Sequence, residues 1–358
     1  MNPDAQYVLL LLERSDQQAS ITGQQVLLDI SNMRGVAGAR LYGNLTDRQR
    51  AASSMYIEPT TWPIVVVFPP HGDRMQRLHW GSWRTSPVMR AVNDYLRKRM
   101  LPLVPPTYNR DLESSLWQSL SHDVQLVEGE LNGDKMAALR EYVGVLAKYY
   151  PGEQRVVRKL HQLLHWLWGR NATTLQEFSV KLTGKPDQPH GNDTYISDVV
   201  GWVACRGSQP RYRGYTCGLW QMFHSLTVAA EAANRSMNSG LQSSPSSPAT
   251  DPLEVLHAMR SFVRHFFGCQ VCRQNFLNHE SVTMETDVHD HEGAMLWMWR
   301  VHNSVNRRLS GAFSEDPLSP KVQFPVESAC PLCHGKVGWR PGDVLYYLRQ
   351  MYGAGNIV

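Results

Sequence analysis

The first 204 residues contain no cysteine. That stretch cannot form or exchange a disulfide, and it cannot hold a metal through thiolate. The chain also lacks an apolar run near the roughly 20 residues that a membrane-spanning helix needs. The longest runs, YVLLLL (7–12) and IVVVF (64–68), are strand-sized. No cleavable leader pattern precedes them. The strand pattern starts almost at Met1, as expected of a piece of a longer protein. Neither sign of charge dominates. The 36 basic and 32 acidic residues leave a net charge of +4, spread along the chain, which excludes the clustered basic footprint of a nucleic-acid binder. No G-x-G-x-x-G follows a strand pattern, which argues against a Rossmann dinucleotide site. With 42% hydrophobic and 19% charged residues over 358 positions, the chain is expected to be globular, with two or three domains.

All six cysteines therefore lie in the second part: Cys205 and Cys217, Cys269-x-x-Cys272, and Cys330-x-x-Cys333. An even count with two CxxC pairs suits three disulfides in an oxidising compartment. Asn44, Asn171, Asn192 and Asn234 each open an N-x-[ST] triplet, a short pattern that points weakly to the secretory route.

Residues 1–100 read as α/β. Strands are expected at YVLLLL (7–12), VAGARLYG (36–43), WPIVVVF (62–68) and RLHW (77–80), with a helix start at VLLDIS (26–31). A helix is expected over 86–100, with Ser86 at its N-cap. This order suits a thioredoxin-like plan, in which Trp62-Pro63 falls where that fold carries a cis-proline. LPLVPPTYN (101–109) is a proline-rich connector. Beyond it the patterns are helical: DLESSLWQSLSHDV, GDKMAALREYVGVLAKYY, GEQRVVRKLHQLLHWLWG, YRGYTCGLWQMFHSLTVAAEAA, DPLEVLHAMRSFVRHFFG, MLWMWRVHNSVNRRLSG and GDVLYYLRQMYG. KPDQPHGND (185–193) reads as a loop and SMNSGLQSSPSSPATDP (236–252) as a low-complexity linker. LREYV (139–143) faintly repeats as MRSFV (259–263), although amphipathic helices resemble one another in any case.

Cys269 and Cys272 admit three readings: a zinc knuckle, a redox pair or two buried thiols. Cys330, Cys333 and His334 could complete a zinc site, and a zinc-stabilised, non-enzymatic scaffold is the alternative to an enzyme. The long gap between the two pairs is unlike a zinc ribbon. A CxxC at the end of an apolar helix favours redox chemistry, since a helix terminus shifts thiolate stability. The loop METDVHDHEG (284–293) reads as solvated rather than metal-binding.

Two helix faces bear on this. Trp299, His302, Asn303 and Asn306 are spaced i, i+3, i+4, i+7 and share one face. An indole, an imidazole and two amides make costly core material, but they suit a flat ligand rich in hydrogen-bonding groups. Trp220 and His224 repeat the theme one turn apart, with Arg213 upstream as a phosphate contact. Each residue alone reads as ordinary core. Together, beside a redox CxxC, they point to a flavin held between helices.

ACRGSQPRYRGYTCGLWQMFHSLTV, RSFVRHFFGCQVCRQNF, WRVHNSVNRRLSGAFSEDPLSPKVQFP and CPLCHGK resemble, in order, the Erv/ALR-type flavin module of quiescin sulfhydryl oxidases. The resemblance extends upstream and defines three segments. Residues 1–104 are similar to that family's second thioredoxin-like domain, which lacks a CxxC. Residues 105–194 are similar to its degenerate helical ψErv region, and 195–358 to the Erv domain. The fold expected is therefore multidomain, α/β followed by all-α. The family's first, redox-active thioredoxin domain and its membrane-anchoring tail are not among these segments.

The resemblance implies FAD, oxidation of small dithiols or reduced protein, and reduction of molecular oxygen to hydrogen peroxide. It implies Cys272 against the isoalloxazine, Cys269 as the outer interchange cysteine, Cys205–Cys217 as a structural disulfide, and Cys330–Cys333 as structural or accessory. It carries FAD contacts onto Arg213, Trp220, His224, Asn275, Trp299, His302, Asn303, Val305, Asn306, Lys321 and Phe324. His302, Asn303 and Asn306 would meet adenosine, and Lys321 the phosphates or the flavin edge. Asn275 stands where the family has His, Phe324 where it has Trp, and Val271 where an acidic residue is frequent. The resemblance further implies a monomer with an internal ψErv–Erv pseudo-dimer, located in the Golgi or endoplasmic reticulum lumen or secreted as a glycoprotein, and no nucleic-acid partner.

Overall fold

The structure, a computed structural model, describes residues 7–14, 17–31, 36–43, 63–69, 75–79, 84–97, 104–184, 194–238, 250–335 and 337–358. The chain divides into two compact units, Met1–Met100 and Leu101–Val358.

The first unit is a four-stranded sheet in the order β2-β1-β3-β4, from β1 (Tyr7–Arg14), β2 (Val36–Gly43), β3 (Ile64–Phe68) and β4 (Gln76–Arg77). β1 and β2 run parallel, with Leu9 opposite Gly38; β3 runs antiparallel to β1, with Leu10 opposite Val66. α1 (Gln17–Ser31) makes the crossover, and α2 (Thr85–Arg97) packs against it. The unbroken apolar run of β1 follows from burial on both faces. Leu9 and Leu11 meet Val65, Val67, Ile30 and Val92 on one side, and Leu12 joins Ile64 and Val66 on the other. VLLDIS (26–31) is the end of α1, not its start. The earlier turns are polar, with Ile21 exposed, so no apolar stripe marked them. β4 shrinks to two residues, although the Leu78 amide still bonds the Val65 carbonyl at 2.9 Å. The expected cis bond at Trp62-Pro63 and the loop 185–193 lie outside the described residues, as do Asn44, Asn192 and residues 239–249 of the expected linker.

The second unit is helical. Its main helices are α3 (Asn109–Gln118), α4 (Gly133–Tyr149), α5 (Gln154–Trp168), α6 (Leu175–Thr183), α7 (Gly214–Asn238), α8 (Glu254–His265), α9 (Gln270–Asn275), α10 (His291–Leu309) and α11 (Pro341–Tyr352). α3 continues through a π-helical turn, Ser119–Asp123. One apolar core runs from Leu112 to Val301, so segments 105–194 and 195–358 share it. α7 lies at the centre and packs on α3, α8, α10 and α11; α4 packs on α5 and α8. α6 went unread in the sequence, although Thr174 and Glu177 form its capping box. The connector and the chain end are stapled together: Thr107 N–H donates to Asn356 O at 3.1 Å, Val358 N–H to Thr107 O at 3.0 Å and Asn109 N–H to Val358 O at 2.8 Å. No helix among the described residues is long and apolar enough to cross a membrane.

Candidate active site

The CxxC lies at the start of a helix. α8 ends at His265, the chain turns through Phe266–Gly268, and Cys269 is the N-cap of α9. Its sulfur accepts the Cys272 N–H at 3.3 Å. A helix start carries partial positive charge and favours thiolate, whereas a helix end would oppose it. Cys269 and Cys272 are joined as a disulfide, and both are exposed. Cys205–Cys217 and Cys330–Cys333 are also bonded, and Cys205, Cys330 and Cys333 are fully buried. With these four CxxC thiols paired in two separate bonds, none is left as a zinc ligand. His334 turns to the Pro325 carbonyl at 2.8 Å, so the zinc reading fails.

Two helices bring the aromatic groups together. Trp220 of α7 stacks on His302 of α10, ring centres 4.3 Å apart and 4° from parallel. His302 Nδ1 lies 3.1 Å from His224 Nε2, and His224 stacks on Tyr352 of α11 at 4.6 Å. Burial pushes the His224 imidazole down to about 3. Burial, then His224 and Lys321, holds His302 well below its usual range. Both rings are therefore neutral at pH 7, a row of flat plates carrying polar edges.

The other polar residues of the α10 face turn to the chain at 322–324. Trp299 Nε1 donates to the Phe324 carbonyl at 2.5 Å, and Asn303 Nδ2 donates to it at 2.7 Å. Asn303 Oδ1 accepts the Phe324 N–H at 2.8 Å, and Asn306 Nδ2 donates to Val322 O at 3.1 Å. These amides hold the segment that follows Lys321. Phe324 sets its ring edge-on to Tyr347 at 5.4 Å. Val305 is half-buried on α10. Asn275 bonds within α9, donating to Val271 O at 2.8 Å.

Arg213 sits just before α7 with a positive φ of 59°, in the left-handed region that a side chain with a Cβ rarely adopts. Its surroundings hold it there. Cys205–Cys217 closes the loop, and the Gly214 amide bonds Cys205 O at 2.9 Å. Buried Asp111 accepts the amides of Val203 and Cys205 at 2.6 and 2.9 Å, while buried Asp316 accepts Ser208 N–H and Oγ–H. Sequence reading missed both carboxylates, because a lone Asp bonded to distant backbone leaves no local pattern. Arg213 Nη2 donates to Ala204 O at 2.8 Å, but its buried Nε has no partner among the described residues. Lys321 lies close enough to feel it. Burial and then Arg213 push the Lys321 ammonium down, against an opposing pull from Glu315. A spare buried donor, a second cation and a helix N-terminus make a setting for a diphosphate.

Comparison with known proteins agrees with this chemistry. The family model of FAD-dependent sulfhydryl oxidase matches residues 106–208, and that of the Erv1/Alr family matches 217–325. A solved structure, "Sulfhydryl Oxidase Fragment of Human QSOX1", superposes with a TM-score of 0.60 at 34% identity, covering 71% of this chain and 98% of that one. The chain belongs to the sulfhydryl oxidase family. Sulfhydryl oxidase 1 of Rattus norvegicus is 33% identical over 377 residues, covering 99% of this chain and 48% of the relative. Sulfhydryl oxidase 2 of Homo sapiens is 35% identical over 256 residues, covering 70% and 35%. The chain thus spans about half the length of the curated relatives it matches. The family binds FAD, and the stacked rings with the Arg213–Lys321 pair fit an aromatic dinucleotide. The seam between the two matched segments falls at the Cys205–Cys217 loop that presents Arg213.

Proposed function

We propose that this chain is an FAD-dependent thiol oxidase that makes disulfides from dithiols. The carrying observation is that, of three disulfides, only Cys269–Cys272 has both residues exposed, and it sits at a helix N-terminus. One substrate thiolate attacks Cys269 and forms a mixed disulfide, releasing Cys272 as thiolate. The second substrate thiolate then attacks the substrate sulfur of that bond. The substrate leaves as a disulfide, and Cys269 and Cys272 have gained two electrons and two protons. FAD, when bound, supplies the acceptor for that electron pair and its onward path to molecular oxygen, which leaves as hydrogen peroxide. Trp220, His224 and His302 would flank its rings, and Arg213 and Lys321 its phosphates. Cys272 is assigned to the flavin side. Buried Cys330–Cys333 is assigned a structural role.

The first unit's β1-α1-β2 crossover with antiparallel β3 and β4 supports a thioredoxin-like reading of 1–104. The ψErv–Erv pseudo-dimer of 105–194 and 195–358 is supported by the packing of α4 on α8. Tyr142 and Phe262 hold the same place in LREYV and MRSFV. Three disulfides support a secretory location, and Asn171 is exposed for glycosylation.

The test is oxygen uptake by the purified chain with dithiothreitol, alongside its visible spectrum. Thiol-dependent uptake by a yellow protein is expected. A colourless protein with no uptake overturns the proposal.

A further inference from the structure

The redox disulfide is not surrounded by the Erv segment alone. Just ahead of Cys269, Gly268 presses against the turn that follows α3. A Cβ on Gly268 would stand 2.7 Å from Leu126 Cδ1, the tip of a half-exposed side chain, and 3.3 Å from Asp123 Oδ1, so the backbone before Cys269 runs close against this carboxyl. Asp123 ends the π-helical turn Ser119–Asp123, a helix irregularity of a kind frequent at functional sites. Its residue is 2% exposed. Tyr215, in the first turn of α7, donates its hydroxyl to Asp123 Oδ2 at 2.5 Å and sets its ring 6.4 Å from Phe267. One carboxyl therefore joins three segments: the π turn, the start of α7 and the entrance to the CxxC.

Its electrostatics are laid out around it. Burial pushes the Asp123 carboxyl up; the Tyr215 hydroxyl, His122, the Gly268 amide and Arg273 pull it down, in that order. Tyr142, buried and bonded to Ser119, feels the same carboxylate. Arg273 follows Cys272 directly in α9. It donates to Arg264 O at 3.3 Å, and its buried Nε has no partner among the described residues. The disulfide thus has a cation on the C-terminal side of its helix turn and a buried acid behind its N-cap.

We propose that Asp123, held by Tyr215, is a positioning residue for Cys269–Cys272. Set beside the Gly268 amide ahead of the Cys269 N-cap, its negative charge offsets Arg273 and the helix start, keeping the pair toward the disulfide. This rests on the thiol-oxidase reading above and deepens it, since it gives the helical segment 105–194 a part in setting the redox poise of the Erv site. The reaction concerned is Cys269–Cys272 plus two glutathione thiols, yielding two protein thiols and glutathione disulfide.

The test uses the full chain, held without oxygen in glutathione buffers, with the thiols on Cys269 and Cys272 alkylated and counted by mass. Asp123→Asn removes the charge at constant size, so the equilibrium constant is expected to move toward the dithiol by about threefold or more. Tyr215→Phe keeps the carboxyl but deletes its donor. A buried carboxyl without that donor protonates more readily, so a smaller shift in the same direction is expected, and this variant stands in if Asp123→Asn fails to fold. Leu126→Ala loosens the same contact without touching charge and is expected to leave the constant unchanged. Wild-type values in Asp123→Asn, or in Tyr215→Phe where it alone folds, overturn the proposal. So does a shift in Leu126→Ala as large as the charge variant's. The equilibrium is readable whether or not the wild-type chain consumes oxygen, so failure of the oxidase reading is seen separately in the uptake assay.

Discussion

Tyr142 and Phe262 stack on each other, ring centres 4.3 Å apart and 27° from parallel, and each is the fourth residue of its own copy of the repeat, LREYV or MRSFV. At the axis of a two-fold dimer a residue meets its own counterpart. On the pseudo-dimer reading proposed above, the same contact made inside one chain would satisfy the surface that a second copy would use.

A monomer is therefore expected, with light scattering as the check. A stable dimer at micromolar concentration would count against the pseudo-dimer. Tyr142→Ala and Phe262→Ala should each cost about 3–5 kcal/mol of stability. The double variant should cost about 1 kcal/mol less than the sum, the coupling of a stacked pair. Urea unfolding of the four proteins measures it.

Cys269→Ser and Cys272→Ser are each expected to reduce dithiothreitol-driven oxygen uptake to background. Replacing Cys330 and Cys333 together by alanine should leave turnover near wild type while costing about 2 kcal/mol of stability. Turnover lost in the latter protein, still folded by circular dichroism, would move that buried pair into the electron path.

Arg213→Ala and Lys321→Ala should each weaken flavin retention about tenfold, since on the proposed reading each would remove one charge-assisted contact to phosphate. Flavin released on dialysis, read by fluorescence, checks this. Unchanged retention in both would detach the cation pair from the cofactor.

Neutral His224 and His302 set a direction for pH. With a folded value near 3 for His224 against roughly 6.5 unfolded, the unfolded chain binds more protons below 6.5. Stability is thus full above that value and is lost as pH falls. The His224 contribution amounts to about 2 kcal/mol between pH 7 and pH 5. Urea midpoints at the two pH values should show the loss, and His224→Gln should shrink it.

Residues 1–204 hold no thiol to hand electrons inward, so the chain is expected to turn over dithiothreitol well and reduced unfolded protein poorly. A separate thioredoxin-like CxxC domain should restore only part of the rate, because an untethered carrier lacks the effective concentration of a linked one. Equal rates with both substrates would show that Cys269 meets protein substrates directly.

Periodicity made the long elements legible. β1 and the helices around Trp220, Phe262 and Trp299 fall where apolar spacing placed them, because packing selects that spacing. The bonds of Asn303 and Asn306 to 322–324 were not legible. Helix spacing showed that they share a face with His302, but not that part of the face would turn to the chain's own backbone. The same limit hid Asp111, Asp316 and Asp123, whose partners lie about 90 residues or more away in sequence. The helix-start position of Cys269 was missed for a nearer reason: the helical pattern of α8 runs on through Gly268 in the sequence, and the three-residue break before Cys269 carries only one glycine.

The clasp between Thr107 and residues 356–358 has a topological consequence. Because Thr107 and Val358 already meet, joining the backbone at that point would leave the helix packing of the core in place. The chain could be rejoined across that clasp and reopened at an exposed turn such as Gly311, with helix contacts and disulfides kept. The order of helices along the gene is, for this unit, separable from their order in space.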